Sequence, residues 1–536
     1  MRINAGSVAI AVCAVLRMGV GAATLDDYVR QFREEEASLG LPADEATASL
    51  DFLRENVPAF ECPDKEIERT YYYRWWTFCR HIRSTPDGRV VTEFAGDRQL
   101  KWAGPYNTIT CAAGHHLMEA RWLKDSKVSD EYARFLFAKG IVSGEKAYVS
   151  WLAHALWESA KVTGNTRLLT DLLDAFVRNY ENWERGWPRL PWPLPADGKP
   201  FPMGLKDNGL FATTDDREGS EYSVGGDGFR PLVNAAMCAE ASAIARIAVL
   251  AGRQDVARAF SGRAQRLERR MRELLWNPER EFYTVRDLSG RQKASRELFG
   301  YAPWYFRIAG DDSGEAWRFL MRTDGFFAPC GLTDVERSDP KFAIDYRDES
   351  KSACRHDGPS WPYAESLVLT ALANALQDGR RTVGVTRADY AVLLHQYAAG
   401  HRLELPDGRR VSWIDENRDP FTGEWIARRI IELRKDKGRM GRGRFYNHST
   451  FCDLVLSGLC GIRPETDGRI ALCPLAPVEW DYFRVSGLRV RGQEVEVVWD
   501  RTGQCFGRGQ GLHLFVNGKE RKGISPLAKD SSSVVQ

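Results

Sequence analysis

Two stretches gather carboxylates beside aromatic rings and turn-forming residues. The first reads DDREGSEYSVGGDGFRP over positions 215 to 231 and offers Asp215, Asp216, Glu218, Glu221 and Asp227. Its glycines, among them Gly219 and Gly226, permit positive φ and a close approach to a ligand. The second reads WIDENRDPFTGEW over 413 to 425, with Asp415, Glu416 and Asp419 beside Trp413, and Pro420 and Gly423 marking a turn. Either one alone reads as a solvated acidic loop, and the first lacks the ligand order of a calcium-binding hand. Two such loops facing one another supply what glycoside hydrolysis needs. One acid protonates the leaving oxygen, and the other activates water.

Three further segments mix aromatics with amides or histidine where helices should begin: WAGPYNT (102 to 108), DGPSWPYAES (357 to 366) and FYNHSTFCD (445 to 453). Proline suits a first helical turn, and Ser449 or Thr450 suits an N-cap. Helix starts collected at one end of a barrel would ring a pocket. There Trp102, Trp361 and Trp413 are candidates for stacking on sugar rings, and Tyr106, Asn107, Arg230 and His448 for hydroxyl contacts. The Pro- and Trp-rich run ERGWPRLPWPLPADGKPFPMG (185 to 205) is long for a connection. Its Trp187 and Trp192 either wall such a pocket or pack on a rim.

The elements that must position these loops are helices. Val233, Met237, Ile244 and Ile247 share one helix face, Gly252 breaks the pattern, and Val256, Phe260, Ala264, Leu267, Met271 and Leu274 form a second stripe. Similar pairs are legible near 107 to 140, 146 to 183, 297 to 323 and 360 to 400, with a further helix near 447 to 460. Two concentric layers, an (α/α)6 toroid over residues 24 to 464, bury that many amphipathic pairs. A solenoid would require a fixed repeat, which is missing. From about residue 465 the pattern turns to alternation (FRVSGLRVRG, EVEVVWD, GLHLFVNG), which predicts a small C-terminal β-sandwich over 465 to 524 and a loose tail over 525 to 536.

The totals exclude more than they assign. Among 536 residues, 75 are basic and 73 acidic, so no charge excess points to nucleic acid. The 17 tryptophans suit a protein that stacks flat ligands. Residues 1 to 23 read as a signal peptide, with Arg2, an apolar run from Ser7 to Leu16 and small residues at Gly21-Ala22-Ala23, which implies a secreted or periplasmic protein. No other stretch reads as a membrane span. The 11 cysteines are scattered without a C-x-x-C spacing, so no zinc, other metal or cofactor is suggested, while an oxidising compartment would allow some to bridge.

Taken together, these residues resemble the six-hairpin glycosidases of the mannosylglycerate hydrolase-like group, near glycoside hydrolase family 63 and more distantly the family 37 trehalases. The proton-donor pattern G-x-D-x-S of those families matches Gly219-Ser220-Glu221-Tyr222-Ser223, with Glu in place of Asp. The base-bearing pattern E-x-Y-x-P-x-T-G matches Glu416 to Gly423 with Arg418 where Tyr is common, and G-P-x-W matches Gly358-Pro359-Ser360-Trp361. The resemblance implies inverting, exo-acting hydrolysis of an α-linked glucoside, mannoside or related glycoside. Glu221 would be the general acid, with Asp227 and Glu218 in reserve. Glu416 would be the general base, with Asp415 in reserve. Two other readings remain open: a uronate lyase using Tyr446 and His448, and a catalytically inactive carbohydrate-binding protein.

Overall fold

A computed structural model describes residues 23–40, 46–95, 99–141, 147–192, 194–195, 198–344, 354–435 and 443–521. The signal peptide, apart from residue 23, and the C-terminal tail lie outside the described residues.

The chain alternates outer and inner helices. Helices α1 (Leu25–Ser38) and α2 (Ala46–Asn56) pack on α3 (Lys65–Cys79). Then follow α4 (Thr110–Ala120), α5 (Lys127–Phe135), α6 (Leu152–Thr163), α7 (Thr166–Arg185), α8 (Pro231–Leu250), α9 (Gln254–Leu274) and the short α10 (Ala302–Tyr305). After a 3-10 stretch, Asp311–Phe319, come α11 (Pro362–Gln377), α12 (Arg387–Ala399), α13 (Ile426–Leu433) and a π-helical segment, Leu454–Leu459. Helices α4, α6, α8, α10 and α11 and the π-helical segment each pack on the next and form the inner ring. The ring closes where both carboxylate oxygens of Glu119, at the end of α4, accept from the backbone N–H groups of Phe451, Cys452 and Asp453 at 2.8–3.0 Å. Close packing needs small residues: a Cβ on Gly114 of α4 would lie 2.4 Å from the Trp151 indole.

Outer helices show the one-sided pattern expected of them. In α7 the buried positions are Leu168, Leu169, Leu172, Leu173, Phe176, Tyr180 and Trp183, spaced three and four apart. The inner α8 is buried nearly all round. It is also the one helix among the described residues long and apolar enough to cross a membrane, which corrects the expectation that no such stretch follows the N-terminus. Its apolar window is 83% buried within the fold, as suits a core helix.

The C-terminal alternation forms strands Tyr482–Val490, Gln493–Asp500, Gly511–Val516 and Lys519–Arg521 in one antiparallel sheet. Its outer edge is strand Ala59–Glu61, which comes from before the barrel and pairs Phe60 with Val485. A hairpin of Ile462–Pro464 with Ile470–Leu472 joins barrel to sheet. No disulfide links the described cysteines.

Candidate active site

The acidic stretch is a closed loop. Strands Phe211–Thr213 and Gly228–Phe229 pair antiparallel, Ala212 opposite Phe229 and Thr213 opposite Gly228, and fix its two ends. Inside it, Asp215–Glu218 make a 3-10 turn capped by Gly219 at φ 73°. That conformation favours glycine, and a Cβ there would also lie 2.9 Å from Cys111 Sγ and 3.3 Å from the Trp361 ring.

Buried pairs stiffen the loop. Arg230 Nε donates to Glu218 Oε2 at 2.6 Å, while its other nitrogens reach Ser223 Oγ, Gly226 O and Ser220 Oγ. Glu218 Oε1 accepts from Val233 N–H at 2.8 Å and so caps α8, whose first residue is Pro231. Asp227 accepts from Asp215 N–H, and Asp215 from Ser223 N–H. Glu218, Arg230 and Asp227 are thus spent on holding the loop. This corrects their reading as reserve acids and as a hydroxyl contact, because Glu218 and Arg230 are bonded to one another, Asp227 is bonded to the Asp215 N–H, and none of the three lines the large cavity.

The second loop is pinned in a similar manner. Ser360 and Arg418 exchange both backbone hydrogen bonds, at 2.8 and 2.9 Å. Arg418 Nη2 donates to Glu365 Oε2 on α11 at 2.8 Å, with both side chains no more than 3% exposed. Asp415 Oδ1 accepts from Glu416 N–H at 2.9 Å, and Asp415 Oδ2 lies 3.8 Å from Arg428. Asp415 therefore shapes the turn, and Glu416 is the carboxylate of this loop that reaches the cavity.

That cavity measures ≈ 580 Å³. Four carboxylates line it: Glu93, Asp216, Glu221 and Glu416. Asp216 accepts from Arg189 and Arg217, each at 2.8 Å, and from Thr214 Oγ1. Glu93 accepts from Tyr446 Oη at 2.8 Å. Burial pushes the Glu221 carboxyl above the ordinary glutamate range, against the opposing pull of His356. The aromatic walls include Trp102, Tyr148, Trp192, Trp361 and Tyr363. Trp361 stacks on Tyr363 at 4.5 Å and 14°, so its plane is fixed before any ligand arrives.

Other expected contacts lie elsewhere. Trp413 is buried beneath the Arg428 guanidinium at 4.3 Å. Tyr106 Oη donates to Asp87, and Asn107 Oδ1 accepts from Leu100 N–H, so both build the turn before α4. His448 packs on Tyr446 with ring centroids 3.9 Å apart and meets the Glu416 carbonyl at 3.3 Å. Desolvation holds it well below the ordinary histidine range. Tyr446 lines the cavity and His448 does not, so the Tyr446–His448 lyase reading has no histidine at the cavity wall. Of the residues named from the sequence, the cavity brings together Trp102, Trp192, Trp361, Asp216, Glu221, Glu416 and Tyr446.

Several lining residues escaped the sequence patterns. Arg217 sits inside the acidic stretch but is not singled out there, while Glu93 and Tyr148 come from segments without a motif. Cys354 and His356 directly precede the Gly358–Trp361 motif. Cys354 Sγ lies 3.3 Å from Glu221 Oε2 and 3.6 Å from His356 Nε2, and His356 Nδ1 meets Asp334 Oδ2 at 2.8 Å. Burial pushes Asp334 up to about 6. His356 is raised above the ordinary histidine range: desolvation disfavours its charge, and Asp334, Glu221 and Glu416 more than offset that.

Comparison with known proteins agrees with this architecture. Residues 105–449 match the model of the mannosylglycerate hydrolase MGH1-like glycoside hydrolase domain, and residues 462–521 match the C-terminal domain of glycosyl hydrolase family 65. Among solved structures, a sialidase superposes with TM-score 0.79 and 31% identity over 93% of this chain, which spans 44% of that longer protein. A family GH78 rhamnosidase of Bacillus sp. GL1 aligns at TM-score 0.50 and 13% identity, over 83% of this chain and 40% of its own. An α-L-rhamnosidase from Dictyoglumus thermophilum aligns at TM-score 0.50 and 11% identity, over 86% and 44%. The family match covers both carboxylate loops and the helices that hold them, and the chain belongs to the mannosylglycerate hydrolase MGH1-like glycoside hydrolase family.

Proposed function

We propose that the chain hydrolyses an α-linked glycoside from its chain end with inversion, using Glu221 as general acid and Glu416 as general base. The observation that carries this reading is that Glu221 and Glu416 come from separate, independently pinned loops to the same cavity. Glu221, lifted by burial, holds a proton for the glycosidic oxygen. Glu416 takes a proton from the water that attacks the anomeric carbon on the opposite face. Trp361, fixed against Tyr363, offers a flat surface for a sugar ring. A volume of ≈ 580 Å³ falls within the ~300–1,000 Å³ of small-molecule pockets, which favours a terminal sugar over a long polymer segment.

A panel of aryl α-glycosides and small disaccharides, assayed with the wild type, Glu221→Gln and Glu416→Gln, tests the assignment. Both variants should lose turnover of the best substrate while keeping the wild-type fold by circular dichroism. Unchanged turnover in either removes that residue from its role. We also propose export directed by residues 1 to 23, which N-terminal sequencing of the mature protein would check against cleavage near Ala23.

A further inference from the structure

Glu221, Cys354 and His356 bring three ligand atoms of different chemistry within 4.8 Å of one another. Two edges of the cluster are 3.3 Å from Cys354 Sγ to Glu221 Oε2 and 3.6 Å from Cys354 Sγ to His356 Nε2. A tetrahedral zinc holds sulfur at about 2.3 Å and nitrogen or oxygen at about 2.0–2.1 Å, which sets its ligand atoms about 3.3–3.6 Å apart. Behind the cluster, Asp334 Oδ2 accepts from His356 Nδ1 at 2.8 Å. That bond presents Nε2 to the cluster and is the carboxylate–histidine support common at metal sites. The backbone adds rigidity, because His356 N–H donates to the Glu221 carbonyl at 3.0 Å. Cys354 and Glu221 also line the large cavity, so a fourth position would open toward it.

We propose that Glu221, Cys354 and His356 form a binding site for a thiophilic divalent cation, zinc by ligand set, and that the cation and the catalytic proton compete for Glu221. Binding forms the metal–sulfur, metal–nitrogen and metal–oxygen bonds and releases the protons held by the thiol, by Nε2 and by the Glu221 carboxyl to solvent, with no redox change. A metal-bound Glu221 has no proton to give the leaving oxygen, so the loaded enzyme is an inhibited form. This second clause rests on the proposed role of Glu221 as acid, whereas the site itself does not.

The test uses the full chain stripped with chelator and titrated with Zn2+ by calorimetry, and with Co2+ by near-ultraviolet thiolate-to-metal absorption. One equivalent should bind, with the absorption band lost in Cys354→Ser and the affinity lowered about 10–100-fold in Asp334→Asn. Zn2+ should abolish hydrolysis, and chelator should restore it. Absence of a thiolate band, or binding that Cys354→Ser leaves unaltered, overturns the site. Binding as expected with undiminished hydrolysis overturns the competition, and the acid role of Glu221 falls with it while the site stands. Loss of turnover in Glu221→Gln, together with a wild-type chain that binds no metal, leaves the hydrolase reading intact and overturns this one.

Discussion

Arg418 Nη2 meets Glu365 Oε2 at 2.8 Å in the barrel interior, and this pair ties the Glu416 loop to the inner helix α11. Arg230 and Glu218 tie the Glu221 loop to α8 in the same fashion, at 2.6 Å. Each proposed reacting carboxylate is therefore carried by a loop with its own buried ion pair at an inner helix.

Removing one member of such a pair leaves an uncompensated charge. Arg418→Met should destabilise the protein by ~3–5 kcal/mol, because Glu365 is left buried without its partner. The double variant Arg418→Met/Glu365→Gln should recover part of that loss. Thermal denaturation of the four proteins in the cycle measures the coupling, and additive losses would show that the two side chains act independently.

Gly219 is strained ground for any other residue. Gly219→Ala puts a Cβ 2.9 Å from Cys111 Sγ at φ 73° and presses on Trp361. A cost of ~1–3 kcal/mol is expected, and the shifted loop should lower kcat more than it raises KM. Steady-state kinetics beside a melting curve separates the two effects.

Much of this architecture is legible in the sequence. The stripes Val233 to Ile247 and Val256 to Leu274 are long and periodic enough to locate α8 and α9, and the change to alternation after residue 465 marks the sheet. The fate of individual polar side chains is not legible. Trp361 and Trp413 both sit beside motifs, yet one faces the cavity and the other lies under Arg428, because spacing says nothing about which way a turn aims its side chain. Glu218 and Arg230 looked available because their pairing depends on closure of the loop between two strands. The Cys354–His356 cluster is completed by Glu221, a residue far away in the chain, so no local pattern reveals it.

A buried glutamate should make stability depend on pH. Glu240 on α8 accepts from the His154 N–H at 2.8 Å, and burial pushes its carboxyl up to about 7 from 4.5. Between those values the folded chain holds a proton that the unfolded chain has released. Stability therefore falls as pH rises through that window, by about 3 kcal/mol at most. Glu240→Gln keeps the acceptor oxygen and should flatten this part of the profile in melts between pH 5 and 8. An unaltered slope would assign it to other groups.

The acid role of Glu221 makes a kinetic prediction. Its carboxyl lies above the ordinary glutamate range because it is desolvated, so the descending limb of the kcat/KM profile should fall correspondingly high and vanish in Glu221→Gln. That variant should lose ~10²–10⁴-fold on glycosides with poor leaving groups. It should lose far less on dinitrophenyl glycosides, whose oxygen departs without a proton. Equal losses on both would point to a role other than proton donation.

The central claim is that two opposed carboxylates drive a single displacement by water. Proton NMR of the first-formed sugar, recorded within the earliest turnovers of an α-glycoside, tests it most directly. The account predicts the β-anomer first, with the α-anomer growing in only by mutarotation. An α-anomer released first would contradict it and require a covalent intermediate in place of the activated water.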